Sequence, residues 1–288
     1  RHNPAVNLNF GATITDQVKR QFFLTLWNTY SFFVTYANID GFKPDSNITQ
    51  TDLTELDRWL ISELNDLTAE VTSSLDQYQS AEATRKIEAF VEILSNWYVR
   101  RSRRRFWKNE NDTEKHAAYQ TLYTSLLTVC KLMAPITPFI TESIYQNLVI
   151  TQSPQDAQSI HLTSFPTSDP NLIDRDLSDA TRMAMQIASL GRAGRSKAGI
   201  RVRQPLAKLT VLLPDNANPD LLQSVEQQIL EELNIKAIQV ITDLSVLYDQ
   251  EVQLNAQSVG PKHGRHLPEI QASLSNANHE DIGRKISN

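Results

Sequence analysis

The sequence predicts a mainly α chain, a helical bundle followed by a small α+β domain. Three observations predict it. Over the first 150 residues, apolar side chains recur at steps of three and four, the spacing of one helix face. Eight glycines in 288 residues suit a mostly helical chain, with breaks marked by Pro44, Pro135 and Pro138. Beyond residue 200, two short runs rich in Leu, Val and Ile (LAKLTVLL and IKAIQVI) flank a helical pattern. The organisation reads as a helical domain over 1–150, a linker over 151–172 and a C-terminal domain over 173–288.

From about Thr13, Val18, Phe22 and Leu26, with Phe23, Trp27, Tyr30 and Val34, form a broad apolar face that Gly41 and Pro44 end. Asp52, with Glu55 three residues on, reads as a reciprocal N-terminal cap. Behind it Leu53, Leu56, Leu60, Leu64, Leu67, Val71, Leu75 and Tyr78 form an amphipathic stripe. Ser80 reads as the cap of a third helix running through Ile87, Phe90, Val91, Leu94, Trp97 and Tyr98. After a polar break over 109–113, a fourth helix carries Leu122, Leu126, Val129 and Leu132 until Pro135. Pro138 then opens a fifth at a first helical position, where its missing N–H costs nothing. Phe139, Ile140, Ile144, Tyr145 and Leu148 are its packing residues.

The linker is rich in Ser, Pro, Gln and Asp, with SIHLTSFP as a short extended island. From Asp174 a helix runs through Leu177, Met183, Ile187 and Leu190, and Gly191, Gly194 and Gly199 loosen it. Residues 206–213 and 235–241 read as strands around a helix over 221–233, and YDQEVQLNA alternates weakly, as an edge strand does. GPKHGRHLPEI, over 260–270, reads as a turn-rich basic loop leading into a short helix. The polar residues from about Ser275 read as a frayed end.

Composition excludes several classes. Cys130 is the single cysteine, in the apolar run LLTVCKLMA, so disulfides and thiolate-rich zinc sites are out and a reducing cytoplasm is the expected compartment. No run approaches the roughly 18 apolar residues of a membrane span, and no signal peptide is seen. The first residue is Arg rather than Met, so a piece of something longer is expected. No catalytic residue and no metal site are expected. His263 and His266 lack further ligands nearby, there is no Gly-x-Ser-x-Gly elbow or dinucleotide fingerprint, and Glu142 and Glu231 read as ordinary helix-surface groups.

One stretch departs from the acidic balance. The chain carries a formal charge of −5, yet from Asn96 it reads NWYVRRSRRRFWK, with Arg100, Arg101, Arg103, Arg104, Arg105 and Lys108 among Trp97, Tyr98, Phe106 and Trp107. Guanidinium forks match phosphate, and aromatic rings stack on unpaired bases. At about 100° per residue, Arg100, Arg101, Arg104, Arg105 and Lys108 fall within an arc of roughly 140°, with Arg103 outside it. The candidate nucleic-acid contacts are those five cations for phosphate and Trp97 or Trp107 for stacking. The same residues have a structural use, since part of the cluster can pair with carboxylates inside the bundle and Trp97 can be core. A second basic segment, GRAGRSKAGIRVRQPL, carries Arg192, Arg195, Lys197, Arg201 and Arg203; it reads first as a solvated turn and second as an anion grip, with Arg195, Lys197 and Arg201 as the leading contacts. It lacks the Gly-Lys-Ser/Thr of a Walker loop. Lys262, in the basic loop near the C-terminus, is a further second-rank contact.

Several of these texts together resemble the isoleucyl-tRNA synthetases: QFFLTLWNTYSFFVTYANIDGF, ELDRWLISELN, NWYVRRSRRRFW, MAPITPFITESIYQNL, GRAGRSKAGIRVRQPL and GPKHGRHLPEI. The APITPFITESIY element is shared with the valyl and leucyl enzymes; the FFVTYAN and WYVRRSRRRFW texts favour the isoleucyl family. The resemblance implies a helical domain of the class I synthetase anticodon-binding type, followed by a C-terminal junction domain. It implies the tRNA for isoleucine as partner, with ATP and Mg used by a parent enzyme. The family's ATP-binding signatures, HIGH and KMSKS, are missing from this sequence, as is an editing domain. The fragment is therefore expected to be inactive alone, a monomer that works with the catalytic and editing domains of its parent. The alternatives are the matching region of a valyl or leucyl enzyme, or a helical protein–protein scaffold with no RNA role.

Overall fold

The structure, a computed structural model, describes residues 11–44, 52–108, 112–213, 218–242, 254–275 and 282. The chain divides into two compact units, Arg1–Arg182 and Met183–Asn288.

In the first unit, α1 (Ala12–Val18) passes through a π turn (Lys19–Phe23) into α2 (Leu24–Asp40). Gly41 ends α2 at φ +64°, a left-handed state that a residue without Cβ adopts without strain. α2 buries Leu26, Tyr30, Phe33 and Ala37, whereas Trp27, expected on the apolar face, is exposed.

α3 (Glu55–Asp76) starts on a capping box, but it is built from Thr54 and Asp57 and not from Asp52 and Glu55. Asp57 N donates to Thr54 Oγ1 at 3.3 Å, and Thr54 N donates back to Asp57 Oδ2 at 3.0 Å. Leu53, Leu60, Leu64, Leu67 and Val71 are buried as the stripe requires. Tyr78 is not part of it. It lies past the helix end at φ +60° and is 94% exposed. Gln79 N donates to Ser74 O at 2.7 Å and Tyr78 N to Leu75 O at 2.9 Å, the bond pair of a Schellman closure that usually has glycine at this position.

α4 (Ser80–Ile93) has Ser80 as its first residue and not its cap, and its N-cap position, Gln79, makes no side-chain cap bond. The helix continues through a π turn (Leu94–Val99) into α5 (Arg100–Trp107). The wider i to i+5 turn accommodates Leu94, Trp97, Tyr98 and Val99 together on the inside. α6 (Thr113–Met133) is capped by Asp112, which accepts from Lys115 N at 2.8 Å. It packs on α3 and α5 and buries Leu122, Leu126, Val129 and Leu132. Cys130 is also buried, and that burial pushes its thiol up to about 12. α7 (Pro138–Tyr145) opens with proline as expected, but Phe139 is 90% exposed and only Ile144, Tyr145 and Leu148 of the expected set are buried.

Residues 151–172 fold onto this unit. The expected extended island forms a 3-10 turn (Ile160–Leu162) that buries Ile160. Glu142, expected as an ordinary surface group, holds the turn: it accepts from Ser159 Oγ at 2.9 Å and Ile160 N at 3.0 Å. Burial acts to raise its carboxyl, but these bonds and one from Gln146 hold it low. Ser168 Oγ donates to Asn65 O, and Asp174 N donates to Ser62 Oγ, both at 2.8 Å.

α8 (Arg175–Lys197) begins in the first unit and ends in the second. It runs on through Gly191 and Gly194, contrary to the expected loosening. Gly191 permits close packing, since a Cβ there would lie 2.4 Å from Leu233 Cδ1. The second unit pairs β1 (Leu209–Leu212) with β2 (Ile238–Ile241) in parallel, Leu209 opposite Ile238 and Leu212 opposite Ile241. Parallel neighbours need a crossover, here α9 (Pro219–Leu233), which buries Leu222, Val225, Ile229 and Leu233. The expected basic loop over 260–270 is helical: α10 (Ala256–His263), a 3-10 turn (Gly264–His266) and α11 (Leu267–Ser275). Asn255 starts it by accepting from Gln257 N and Ser258 N at 3.1 and 3.3 Å. The expected edge strand after Leu247 lies outside the described residues up to 253, and Leu254 and Asn255 lead into α10. The expected frayed end beyond Ser275 also lies outside them, apart from residue 282.

Candidate nucleic-acid interface

The arginine cluster sits on α5, and the helix divides it. Ser102, Arg105 and Phe106 face inward; Arg100, Arg103, Arg104 and Trp107 face solvent. At about 100° per residue those four outer positions span roughly 100° of arc. Arg103, placed outside the basic face on sequence grounds, is thus on it. Arg101 is half-buried at the edge.

Trp97 is 3% exposed and cannot stack on a base, which corrects its expected role. Its ring lies under the cluster instead, with the Arg100 and Arg101 guanidinium carbons 5.8 and 5.4 Å from its centroid. Cations over an indole face are attracted by its quadrupole, so the ring steadies two arginines at the root of the basic face. Trp107 is 55% exposed and remains the stacking candidate. Its Nε1 donates to Tyr36 Oη at 2.8 Å, which fixes the ring by one edge.

Arg105, expected to bind phosphate, is committed inside the protein. It is 7% exposed, and its Nη1 and Nη2 donate to Asp57 Oδ1 and Oδ2 at 2.8 and 2.7 Å. Nη2 also donates to Glu114 O at 2.7 Å, and Tyr98 Oη donates to Asp57 Oδ1 at 2.6 Å. Burial acts to raise the Asp57 carboxyl, but the bonds and charge of Arg105, with Thr54 and Tyr98, hold it below the ordinary range. Burial and the Asp57 charge push the Tyr98 phenol well up. One carboxylate therefore caps α3, locks α5 against it through a two-pronged bond, and anchors the π turn through Tyr98. This second use explains why the capping box falls on Asp57.

A second brace closes the end of α5. Lys115 Nζ, buried, donates to Lys108 O at 2.7 Å and pairs with Asp40 at 2.7 Å, while Tyr119 also donates to Asp40. The Lys108 side chain is exposed and pairs with Glu114 at 3.0 Å and Asp112 at 3.7 Å. Those carboxylates compete with phosphate for it, Glu114 above all, and hold its ammonium above the ordinary range. Sequence reasoning missed Asp57, Tyr98 and Lys115 as braces because their partners are distant in sequence.

In the second unit Arg195 is also corrected. It is buried, with Nη1 donating to Arg201 O and Gln204 O at 3.0 Å each, and Nη2 to Leu233 O at 2.7 Å and Asn234 O at 3.2 Å. Lys197, Arg201, Arg203 and Lys262 are exposed. Among the described residues no three His, Cys, Asp or Glu side chains gather as metal ligands, and no helix is long and apolar enough to cross a membrane. What α5 offers is electrostatic: exposed guanidinium groups around an indole held by one edge, suited to a polyanion with unstacked bases.

Comparison with known proteins points the same way. Residues 57–211 match the family of the anticodon-binding domain of tRNA ligase. The isoleucine–tRNA ligase of Dehalococcoides mccartyi is 52% identical over 231 residues, covering 80% of this chain and 23% of that protein. That of Thermus thermophilus is 40% identical over 274 residues, 94% of this chain and 26% of that protein. That of Clostridium novyi is 38% identical over 285 residues, 99% of this chain and 27% of that protein. The chain spans about a quarter of the length of the curated relatives it matches.

Proposed function

Because this chain belongs to the anticodon-binding domain family of tRNA ligases, in the region homologous to the isoleucine–tRNA ligases, we propose that it grips the anticodon arm of the tRNA for isoleucine. The observation that carries this reading is the outer face of α5. Arg100, Arg103 and Arg104 meet backbone phosphates there, and Trp107 offers a ring to an unstacked loop base. In the longer protein the chain positions tRNA for ATP- and Mg-dependent aminoacylation on other domains, as a cytoplasmic monomer. A net charge of −5 confines RNA to such local patches, because the remaining surface repels it.

Titration of the chain with isoleucine tRNA across a salt series tests the proposal. With about three α5 cations on phosphate, log K falls against log salt with a slope of at least about −2 to −3. A flat salt response, or equal binding to an unrelated DNA duplex, overturns it.

A further inference from the structure

We propose that the loop from Ile200 to Gln204 in the second unit is a second, preformed site for RNA backbone phosphate, a proposal that rests on the tRNA-binding reading above. Its contacts are the side chains of Arg201 and Arg203 and the backbone N–H groups of Arg201, Val202 and Arg203. Lys197 belongs to the same exposed basic segment.

The loop is braced through its carbonyls. Arg195 takes those of Arg201 and Gln204, and Asn234 Nδ2 takes those of Val202 and Arg203 at 3.1 and 3.0 Å. Four consecutive carbonyls are thus bonded to two side chains. Asn234 is placed for this by its left-handed backbone, φ +49°, at the end of α9. The loop enters through Gly199 at φ +70°, and Ile200 N closes on Arg195 O at 2.9 Å.

The opposite set of backbone groups is unused. Among the described residues, the N–H groups of Arg201, Val202 and Arg203 donate to no acceptor, while Gln204 N turns back to Arg201 O. Successive N–H groups in a turn favour an anion. Arg201 and Arg203 flank them, both exposed and without an ion pair among the described residues. The Arg195 charge adds to this field, because among the described residues carbonyl dipoles and no carboxylate satisfy it. Because the brace holds the loop before RNA arrives, binding requires little further ordering of it. A solvated surface turn would need no buried guanidinium beneath it. Arg195 and Asn234 are positioning residues; Arg201 and Arg203 are the contacts.

The test uses the 288-residue chain and isoleucine tRNA, with fluorescence anisotropy across a salt series and amide hydrogen exchange. Replacing Arg201→Gln together with Arg203→Gln is expected to weaken binding about tenfold and to make the salt slope shallower by about two. In the unaltered complex, exchange at the amides of residues 201–203 slows. Asn234→Gly keeps the left-handed backbone but removes the amide donors; it is expected to weaken binding with Arg201 and Arg203 both present and circular dichroism unchanged. If Arg103→Gln with Arg104→Gln weakens binding while the Arg201/Arg203 pair leaves affinity, slope and exchange unchanged, this site is wrong and the α5 reading stands. If Asn234→Gly binds like the unaltered chain, the preformed character is wrong. If the unaltered chain binds no tRNA, the reading beneath both proposals falls.

Discussion

Each unit turns one arginine inward beneath a basic surface, and the two are satisfied differently. Arg105 meets a carboxylate: it forks onto Asp57, which is fully buried. Arg195 meets four backbone carbonyls and, among the described residues, no carboxylate. The first lies between two carboxylates, the buried Asp57 at 2.7 Å and Glu114 at 3.4 Å, and so locks two helices and adds little positive field outside. The second keeps its positive charge under the loop that it shapes. Adjacent positions in an arginine-rich sequence can therefore be a scaffold and a site, and the partner supplied by the rest of the fold decides which.

The largest expected effect follows from the carboxylate. Arg105→Ala leaves Asp57 buried and unpaired, and breaking such a pair costs roughly 3–5 kcal/mol, read by urea unfolding. A cost below about 1 kcal/mol with impaired tRNA binding would break the comparison, since Arg105 would then act at the surface. Arg195→Ala comes next. It strands carbonyls and not a charge, and hydrogen bonds to a charged group contribute about 1.5–3 kcal/mol. A loss in the second unit equal to that of Arg105→Ala would show that the missing carboxylate makes no difference.

Acid separates the units with a smaller effect. The folded Asp57 carboxyl lies below its unfolded value, so the stability it provides is fully present above the unfolded pKa, about 3.9. It is lost as the pH falls through the lower, folded pKa. The first unit is therefore expected to weaken below about pH 4, and Asp57→Asn to flatten that loss while lowering stability at neutral pH. Urea midpoints at several acid pH values check it; an unchanged acid profile in the variant would remove Asp57 as its cause.

The helices were legible from three- and four-residue spacing because their cores are made by those same residues: Leu60, Leu64, Leu67 and Val71 are buried where the stripe puts them. Helix ends were less so. Asp52 and Thr54 are both competent caps, and only the partners of Asp57 in α5 decide between them. Arg105 could have been found, since it lies two helical turns past Tyr98 on the buried stripe, in reach of a carboxylate on a neighbouring helix. Arg195 could not. Its partners Leu233 and Asn234 are about forty residues away, and nothing local in the glycine-basic segment announces a helix held to the end of α9. The interruption by Gly191 was misread for the same reason, because what it accommodates is Leu233.

The smallest effect on stability is expected where the largest effect on binding lies. Arg103 and Arg104 are exposed on α5 and make no ion pair among the described residues. Exposed charges contribute about 0–1 kcal/mol each, so Arg103→Ala with Arg104→Ala should leave the urea midpoint nearly unchanged. Each lost phosphate contact should make the salt slope of tRNA binding shallower by about one. The opposite pattern belongs to Arg105, whose loss unfolds the bundle and reduces binding only through the unfolded fraction. The pairing of variants matters because the helix alone cannot distinguish them by charge or residue type. What differs is that Arg105 faces Asp57 and Arg104, one residue earlier, faces water. If the Arg103/Arg104 variant instead unfolds as readily as Arg105→Ala and its folded fraction binds tRNA normally, α5 is scaffold on both faces. The RNA contact would then rest on the loop of Arg201 and Arg203.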